Sequence, residues 1–477
     1  MNEVTHFGEV VLVVAAGFSL ALAARVVAER VAVPAAALIL VAAAVASDLV
    51  PSLGDAVSIR AVERIAVVAL IVILFDGGMR IGWRRFRASA APILSLGVLG
   101  TFATAGLVAC AAHWLLGFSW TIAGVIGAAL APTDPAVTFS VLGGREIRGR
   151  TGTIIEGESG ANDPVGIALM IGMIELATSD GGSVWSVVRE FSIEMAVGAA
   201  VGAAGAAALL PVLRRLRLPE PPLYPLLVLA AAGVVYGAAA LAHGSGFLAV
   251  FVAGVLVGDA TTPRKGEIET FHSSLASMAE IAAFVGLGLT INLAFVWDEG
   301  LWVDGLVLAA LLGLVIRPLV IGTLLLPVRL RWGERVFVMW SGLKGAVPIL
   351  LAALAVIGGV RDAERLYAIV FVVVLLSVVV QGSLVPVAAA RLHVPMRRVE
   401  HATAAVRRFL VGSGTIADGA EVAMLPLAER AWLSALVRDG TPQAVLPHTV
   451  LAAGDEVHVY CEDDDEPAVR RIVEGAP

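Results

Sequence analysis

Apolar residues run in long blocks along the first 390 positions, and short polar stretches separate these blocks. Thirteen blocks come close to the ~20 residues that a membrane-crossing helix needs. They cover approximately 9–26, 32–49, 61–78, 89–116, 120–143, 152–177, 185–212, 223–242, 245–259, 268–296, 301–328, 334–357 and 365–390. The pattern predicts an all-α polytopic membrane protein with about thirteen transmembrane helices.

The short connections between the blocks alternate in charge. Odd-numbered connections carry arginine or lysine, such as Arg84 and Arg85 after the third block and Arg329 and Arg331 after the eleventh. Even-numbered connections are short, neutral or acidic. Positive charge marks the cytoplasmic side of a membrane protein. We therefore expect an inner (plasma) membrane protein with its N-terminus outside and its C-terminus in the cytoplasm.

The pattern changes after the last apolar block. Residues 391–403 are basic and polar and predict a linker between a transmembrane domain, 1–390, and a small α/β soluble domain, 404–477. In that domain alternating or turn-forming residues predict two strands, and helix-forming residues predict two helices. The predicted elements are a strand at 421–425, a helix at 428–437, a turn at 454–455 with a strand at 456–460, and a helix opening at 463–466.

Composition agrees with the membrane assignment. The chain is 58% hydrophobic and 15% charged, with a mean hydropathy of +0.90, whereas a soluble domain is about 45–50% apolar and about 25% charged. The lipid bilayer is thus the expected environment. A net charge of −7 offers no basic surface for nucleic acid, and two cysteines suggest neither a disulfide framework nor a zinc site.

One polar stretch, residues 156–168, interrupts the sixth block. A charge in the middle of a membrane helix costs about 2.5–3.5 kcal/mol on insertion scales, so such residues usually face a cavity or a protein interior. Glu158 and Asn162 are four residues apart, as are Ser159 and Asp163, which places both pairs on one side of a helix. Pro164 removes a backbone donor nearby. The sequence predicts a polar face centred on Asp163.

Two other blocks contain helix-breaking residues. Pro132 and Pro135 bracket Thr133 and Asp134, and the segment 341–348 combines two glycines and a proline with Lys344. Broken backbone at membrane depth is tolerated where it lines a cavity, and paired interrupted segments are typical of inverted-repeat transporters. We expect discontinuous helices here and an inverted repeat relating spans 4–6 to spans 11–13.

Two further charges need an explanation. Asp76 ends the third block, where a cytoplasmic funnel and the membrane interface are equally good locations. Arg317 lies within the eleventh block, and a buried arginine needs a partner. Glu158 is the expected partner. A helix-bracing ion pair is the preferred interpretation, and direct ligation of a transported ion is the alternative.

Five motifs at these positions resemble those of the NhaP branch of the cation–proton antiporter superfamily. They are Leu74-Phe-Asp-Gly-Gly78, Thr133-Asp-Pro135, Gly157-Glu-Ser-Gly-Ala-Asn-Asp-Pro164, Arg317-Pro318 and Gly342-Leu-Lys-Gly-Ala-Val-Pro348. The resemblance covers roughly residues 8–390. It implies an antiporter that exchanges a monovalent cation for a proton, with no catalytic residues of an enzyme and no cofactor.

The resemblance also implies residue roles. Asp163 would carry the cation or the proton, and Ser159, Thr133 and Asp134 would supply further cation ligands. The central monovalent cation site would thus be Asp163, Ser159 and Thr133. Asp76 would reach the cation through water. The bracing residues would be Glu158, Asn162 and Arg317, with Lys344 grouped beside them. Lys344 stands where the potassium/proton subgroup commonly has Arg, so its role is open.

The family fold implied by the resemblance is a six-helix core that moves against a dimerisation domain, so we expect a homodimer. Residues 404–477 are similar to the regulatory TrkA-C domain of potassium transport systems. That likeness favours K+ over Na+ as the exchanged cation, although a Na+/H+ antiporter of the same fold stays open. It also implies a possible nucleotide ligand on the C-terminal domain.

Burial disfavours a charged carboxylate, so a cation and a proton would compete for Asp163. Because an Asn-Asp pair offers one exchangeable carboxylate, we expect electroneutral one-for-one exchange by alternating access. Two other classes of protein compete with this interpretation. A cation channel gated by the C-terminal domain would need a repeated filter motif, and none is visible. A serine protease built on Gly157-Glu-Ser-Gly160 and His243 rests on a four-residue match.

Overall fold

The computed structural model describes residues 2–31, 33–50, 58–142, 145–147, 149–179, 184–398, 405–427, 431–461 and 465–475. The chain divides into two compact units, Met1–Arg397 and Arg398–Pro477.

The first unit is built of helices. In chain order they are α1 (Asn2–Val31), α2 (Ala35–Leu49), α3 (Ile59–Ala88), α4 (Ala90–Leu94), α5 (Thr101–Leu116), α6 (Trp120–Leu130), α7 (Pro135–Ser140), α8 (Arg150–Thr178), α9 (Val184–Arg215), α10 (Leu223–Leu241), α11 (Gly246–Gly258), α12 (Lys265–Leu289), α13 (Leu293–Asp298), α14 (Leu301–Leu311), α15 (Arg317–Leu324), α16 (Trp332–Trp340), α17 (Ala346–Ile357), α18 (Ala363–Leu376) and α19 (Val385–Arg391). Two short strands, β1 (Arg145–Ile147) and β2 (Met396–Arg398), pair with each other.

Eight of the described helical segments are long and apolar enough to cross a membrane, and four shorter apolar helices accompany them. Helix α8, with 29 residues, is also long enough to cross but carries the polar stretch. Together these account, within the described ranges, for the thirteen predicted segments. Large apolar side chains such as Leu241 and Trp114 are exposed on the outside of this unit, as expected where lipid replaces water.

Both predicted helix breaks are present. The first separates α6 from α7 at residues 131–134, and the second separates α16 from α17 at residues 341–345. In each case the preceding membrane helix, Ala90–Leu116 or Leu301–Leu324, contains a π-helical turn, at Ser95–Gly100 or Leu312–Ile316. This matching order of features agrees with the predicted repeat of spans 4–6 in spans 11–13.

Local chemistry explains the first break. Pro135 begins α7, and the Asp134 carboxylate caps that helix by accepting a hydrogen bond from the Ala136 N–H at 2.8 Å. A proline is favoured in the first helical turn and disfavoured inside a helix. The sequence therefore ends one helix and starts another without leaving the membrane interior.

Small residues let α8 pack closely against its neighbours. A Cβ added at Gly157, Gly160 or Gly166 would lie within 2.4 Å of Ile93, Phe251 or Pro132, respectively. Close backbone approach through small residues is the usual way in which membrane helices associate. These contacts hold α8 against α4, against α11 and against the break between α6 and α7.

The second unit contains a four-stranded antiparallel sheet in the order β3-β6-β4-β5. Its strands are β3 (Ala405–Leu410), β4 (Trp432–Arg438), β5 (Thr441–Gln443) and β6 (Glu456–Cys461), and a terminal helix, α20, spans Glu466–Val473. Phe409, Leu436, Val457, Val459 and Val473 are among its buried core residues. The α/β class is thus as predicted.

Two predictions for individual elements of this unit are wrong. The helix expected at 428–437 is strand β4 in its described part, and residues 428–430 lie outside the described residues. An irregular register between Leu433 and Ala435 puts buried Leu433 and Leu436 three residues apart, a spacing that imitates a helix. The strand expected at 421–425 is a single bridge at Glu421 followed by a 3-10 turn, Val422–Met424.

The turn at Gly454–Asp455 and the strand after it are confirmed, with β6 one residue longer than expected. The last helix begins at Glu466; positions 463 and 464 of its predicted start lie outside the described residues.

A buried carboxylate holds this turn in place. Asp455 accepts two hydrogen bonds from Arg438, at 2.7 and 2.6 Å, and one from the Ala452 N–H at 2.8 Å. The hydrogen bonds from Arg438 are the main reason that the pKa of Asp455 lies below its usual value of 3.8.

We expect Asp455→Asn to destabilise the C-terminal unit, because the amide cannot replace a carboxylate that accepts from a guanidinium fork. The stabilisation should be present above pH 3.8 and be lost as the pH falls through the lowered folded-state pKa. Hydrogen exchange of amides in β4 and β6 of the full chain measures this. Unchanged exchange rates in the variant at neutral pH would contradict it.

Candidate functional site

The polar face of α8 meets the unwound segment of the first broken helix. Asn162 Nδ2 donates to Thr133 Oγ1 at 2.7 Å, and the Thr133 N–H donates to Asn162 Oδ1 at 3.3 Å. The Ser159 hydroxyl donates to the carbonyl oxygen of Thr133. Asn162 and Ser159 thus satisfy backbone groups that the break at 131–134 leaves without helical partners.

The second broken helix crosses the first at the same place. Lys344 Nζ donates to the carbonyl oxygens of Ala131 and Pro132, at 3.0 and 2.8 Å. The Asp134 N–H donates to the Leu343 carbonyl at 2.8 Å. A positive charge at the carbonyl end of a half-helix is electrostatically favourable. Lys344 therefore stabilises the break between α6 and α7.

Gly345 is required by this crossing. A Cβ at this position would lie 1.9 Å from Asp134 Oδ2, so any larger residue would separate the two broken helices.

The expected ion pair between Glu158 and Arg317 is present and buried. Arg317 Nη1 lies 2.9 Å from Glu158 Oε1, and Nη2 donates to Oε2 at 3.2 Å. Arg317 Nε also donates to the Met339 carbonyl at 2.9 Å, at the end of α16. A Cβ at Gly342 would lie 1.8 Å from the guanidinium carbon. The pair joins α8 to the second broken helix.

The carboxylate of Asp163, unlike the charged groups of Glu158, Arg317 and Lys344, has an oxygen without a partner in the described part of the chain. It is 6% exposed, and its Oδ1 is buried without a hydrogen-bond partner among the described residues. A carboxylate in such a position is costly unless something binds it. Asp163 is also close enough to Asp134 and Lys344 for their charges to interact.

A cavity of about 890 Å³ opens onto Asp163. Four of the five residues predicted to bind the cation line it: Asp76, Asp134, Ser159 and Asp163. Thr133, the fifth, is not among the described lining residues and faces Asn162 instead. The four residues predicted to brace the site, Glu158, Asn162, Arg317 and Lys344, are also absent from the described wall of the cavity.

Asp76 lies in the wall of this cavity. Arg80 Nε donates to Asp76 Oδ2 at 2.7 Å, and Arg80 Nη2 donates to Ser273 Oγ at 2.7 Å. Asp76 is buried, while Arg80 is largely exposed.

Glu280 is not among the residues that the sequence predicted to belong to the site. It lies within α12, lines the same cavity, and interacts electrostatically with Asp134. A signal was available, because Ala276, Glu280 and Ala283 recur at helical spacing and all three line the cavity. The described cavity wall therefore holds five carboxylates: Asp76, Asp134, Glu156, Asp163 and Glu280.

Sequence reasoning also missed the polar residues of the last span. Ser377 Oγ accepts from the Lys344 N–H at 3.0 Å and donates to Gln381 Oε1 at 3.1 Å. Gln381 Nε2 donates to the Trp340 carbonyl at 2.6 Å. These hydrogen bonds tie the second break to the last membrane helix.

Comparisons with known proteins identify the family of the chain. The family described as "Sodium/hydrogen exchanger, transmembrane" matches residues 16–391 of the chain. The chain belongs to this family. It is a multi-pass membrane protein and a cation/proton antiporter, not an enzyme, so the serine protease interpretation is wrong and the channel interpretation is not favoured.

Two relatives illustrate the range of the family. The K(+)/H(+) antiporter NhaP of Alkalimonas amylolytica is 32% identical over 429 residues, 86% of this chain and 74% of that protein. The Na(+)/H(+) antiporter NhaH of Halobacillus aidingensis is 28% identical over 332 residues, 66% of this chain and 79% of that protein.

A solved structure supports the fold. The sodium proton antiporter MjNhaP1 from Methanocaldococcus jannaschii superposes with a TM-score of 0.68 and 21% identity, covering 80% of this chain and all of that one.

We predict that Glu158→Gln lowers the free energy of unfolding by about 3–5 kcal/mol, because it leaves the Arg317 guanidinium buried without its counter-charge. The double variant Glu158→Gln/Arg317→Gln should lose less than the sum of the two single variants, since neither charge remains. Thermal unfolding of the purified protein measures the coupling, and additive losses would show that the pair does not brace the site.

We predict that Glu280→Gln raises the cation concentration for half-maximal exchange by about 3- to 10-fold, less at high salt, because it removes a negative charge from the cavity wall. The maximal rate should change little. Glu267→Gln is the matched control, since Glu267 is exposed on the same helix and lies outside the described cavity wall. Equal effects of both variants would exclude a role for the cavity position.

Proposed function

We propose that this antiporter exchanges K+ for H+ at Asp163, one for one. The observation that carries the proposal is the Asp163 carboxylate, which is buried, has an unpartnered oxygen and lines the cavity. The neighbouring charges have protein partners: Glu158 has Arg317, and Lys344 has two carbonyls. Asp163 is therefore the carboxylate that gains most from binding a cation or a proton.

The cation site would combine Asp163 with oxygens that the structure brings near it. The Ser159 hydroxyl has lone pairs left after donating to Thr133, and the Asp134 carboxylate lies in the same cavity wall. Unwound carbonyls and carboxylates are typical ligands for small monovalent cations in transporters. Thr133 would contribute through the unwound backbone, and Asp76 through water.

Coupled exchange follows because a cation and a proton compete for the single negative charge of Asp163. If the protein reorients only when Asp163 is neutralised, it carries either a cation or a proton in each direction. Asn162 cannot ionise, so each cycle moves one positive charge each way, and the exchange is electroneutral. The bracing residues Glu158, Asn162, Arg317 and Lys344 would keep the two breaks crossed during this movement.

K+ is the favoured cation because relatives that align with 86% of the chain are named K(+)/H(+) antiporters. Na+ is the alternative, supported by a relative named as a Na(+)/H(+) antiporter. Both are hard cations that oxygen ligands accept, so the ligand set alone does not choose between them.

We also propose a location, an orientation, an oligomeric state and domain boundaries for the protein. We place the protein in the plasma membrane as a homodimer, with its N-terminus outside and its C-terminus in the cytoplasm, on the basis of the arginine-rich connections and the family resemblance. Residues 1–390 would form the transport domain, 391–403 a linker, and 404–477 a TrkA-C-like regulatory domain. A nucleotide ligand for that domain stays a prediction.

The test is collapse of an imposed pH gradient in inverted membrane vesicles after addition of potassium, rubidium, sodium or lithium salts. We expect potassium and rubidium to collapse the gradient, and Asp163→Asn to abolish the response while the protein stays folded. Collapse by sodium and lithium alone would replace K+ by Na+ in the proposal. Exchange retained by Asp163→Asn would refute the role of this carboxylate.

We further predict that imposed membrane voltage leaves the exchange rate unchanged, because electroneutral exchange moves no net charge. Asp163→Glu is a useful comparison, since it keeps the ionisable group. A rate that follows the voltage would contradict one-for-one exchange.

A further inference from the structure

A second cavity, of about 500 Å³, lies where α3 ends and α8 begins. Its wall includes Arg85, Ser89, Arg150, Thr153, Glu156 and Arg397. Of its described lining residues, Glu156 is the one that also lines the ion cavity.

The wall of this cavity is predominantly positive, with three arginines and one glutamate. Arg85 is held in place by hydrogen bonds to the carbonyls of Ile81 and Arg80. Arg150 and Arg397 are exposed, and neither guanidinium has a hydrogen bond or ion pair with a described residue. Glu156 has an interaction of its own. Two cationic groups are thus available to a ligand.

A buried hydroxyl faces the same space. Ser89 is 3% exposed and lines the cavity, yet its hydroxyl has no hydrogen-bond partner in the part of the chain that is described. The hydroxyl oxygen is not among the described, fully buried side-chain atoms that lack a partner, so a ligand in the cavity can reach it. A ligand with an oxygen acceptor would satisfy it.

The first turn of α8 supplies further donors. This helix is 29 residues long, and its N-cap, Gly149, has no side chain to accept a hydrogen bond from the first N–H groups. The first N–H groups of a helix carry partial positive charge and bind anions well. Backbone donors, a hydroxyl and two guanidinium groups therefore converge on one space.

We propose that this cavity binds a phosphate group. Guanidinium forks match the spacing of phosphate oxygens and bind them through charge-assisted hydrogen bonds. Such a group is found on anionic phospholipids and on soluble phosphates. Bound there, it would join the end of α3, which carries Asp76, to the start of α8, which carries Asp163.

Binding is measured without transport, so this proposal does not depend on the proposed cation selectivity. The purified full-length protein in an uncharged detergent is heated with sodium phosphate or sodium chloride at equal ionic strength. In parallel, short-chain phosphatidylglycerol is compared with short-chain phosphatidylcholine. We expect phosphatidylglycerol, phosphate or both to raise the Tm in a saturable way. A shift with phosphatidylglycerol identifies a membrane lipid as the source of the phosphate group. A shift with sodium phosphate alone identifies a soluble phosphate.

The variant Arg150→Gln/Arg397→Gln should weaken binding of the effective probe by about 10-fold or more, and Ser89→Ala should weaken it by a smaller factor. The matched control is Arg214→Gln/Arg215→Gln, which removes two exposed arginines at the end of α9, outside the cavity. No Tm shift with any probe would overturn the proposal. Equal weakening in the control variant would overturn it as well, because it would indicate binding to surface charge in general.

Discussion

An unpartnered carboxylate inside a membrane protein is the constraint on which this structure depends. Asp163 is the one carboxylate among the described residues with a fully buried oxygen that lacks a hydrogen-bond partner. Leaving it in that state is expensive. The surrounding architecture leaves this group in the wall of a cavity, while the polar groups next to it in the two broken helices and α8 have partners.

The neighbouring groups show how that is done. Asn162 and Ser159 saturate the unwound segment at Thr133, and Lys344 saturates two carbonyls just before it. Glu158 and Arg317 neutralise each other. Such buried pairs add little net stability, but removing one partner is strongly destabilising. The network therefore has the effect of fixing one arrangement of the crossing, in which the Asp163 charge is not cancelled by a direct partner.

Local sequence was sufficient to predict the features that short-range chemistry determines. The breaks follow from Pro132, Pro135 and the glycines of 341–348, and the polar face follows from the four-residue spacing of Ser159 and Asp163. Features that depend on distant packing were missed. Glu280 looks like an isolated charge until α12 is placed against the cavity. The sequence of β4 resembles that of a helix because its two buried leucines, Leu433 and Leu436, are three residues apart. That spacing fits a strand only because the pairing of β4 with β6 is irregular between Leu433 and Ala435.

The proposed mechanism requires that one carboxylate, Asp163, binds either a cation or a proton. The most direct test is the number of protons released for each cation bound, measured by calorimetry of the purified protein in buffers with different heats of ionisation. At a pH where Asp163 is protonated, we expect about one proton released per cation, as linkage requires for a shared site. Cation binding without proton release at any pH would contradict the claim.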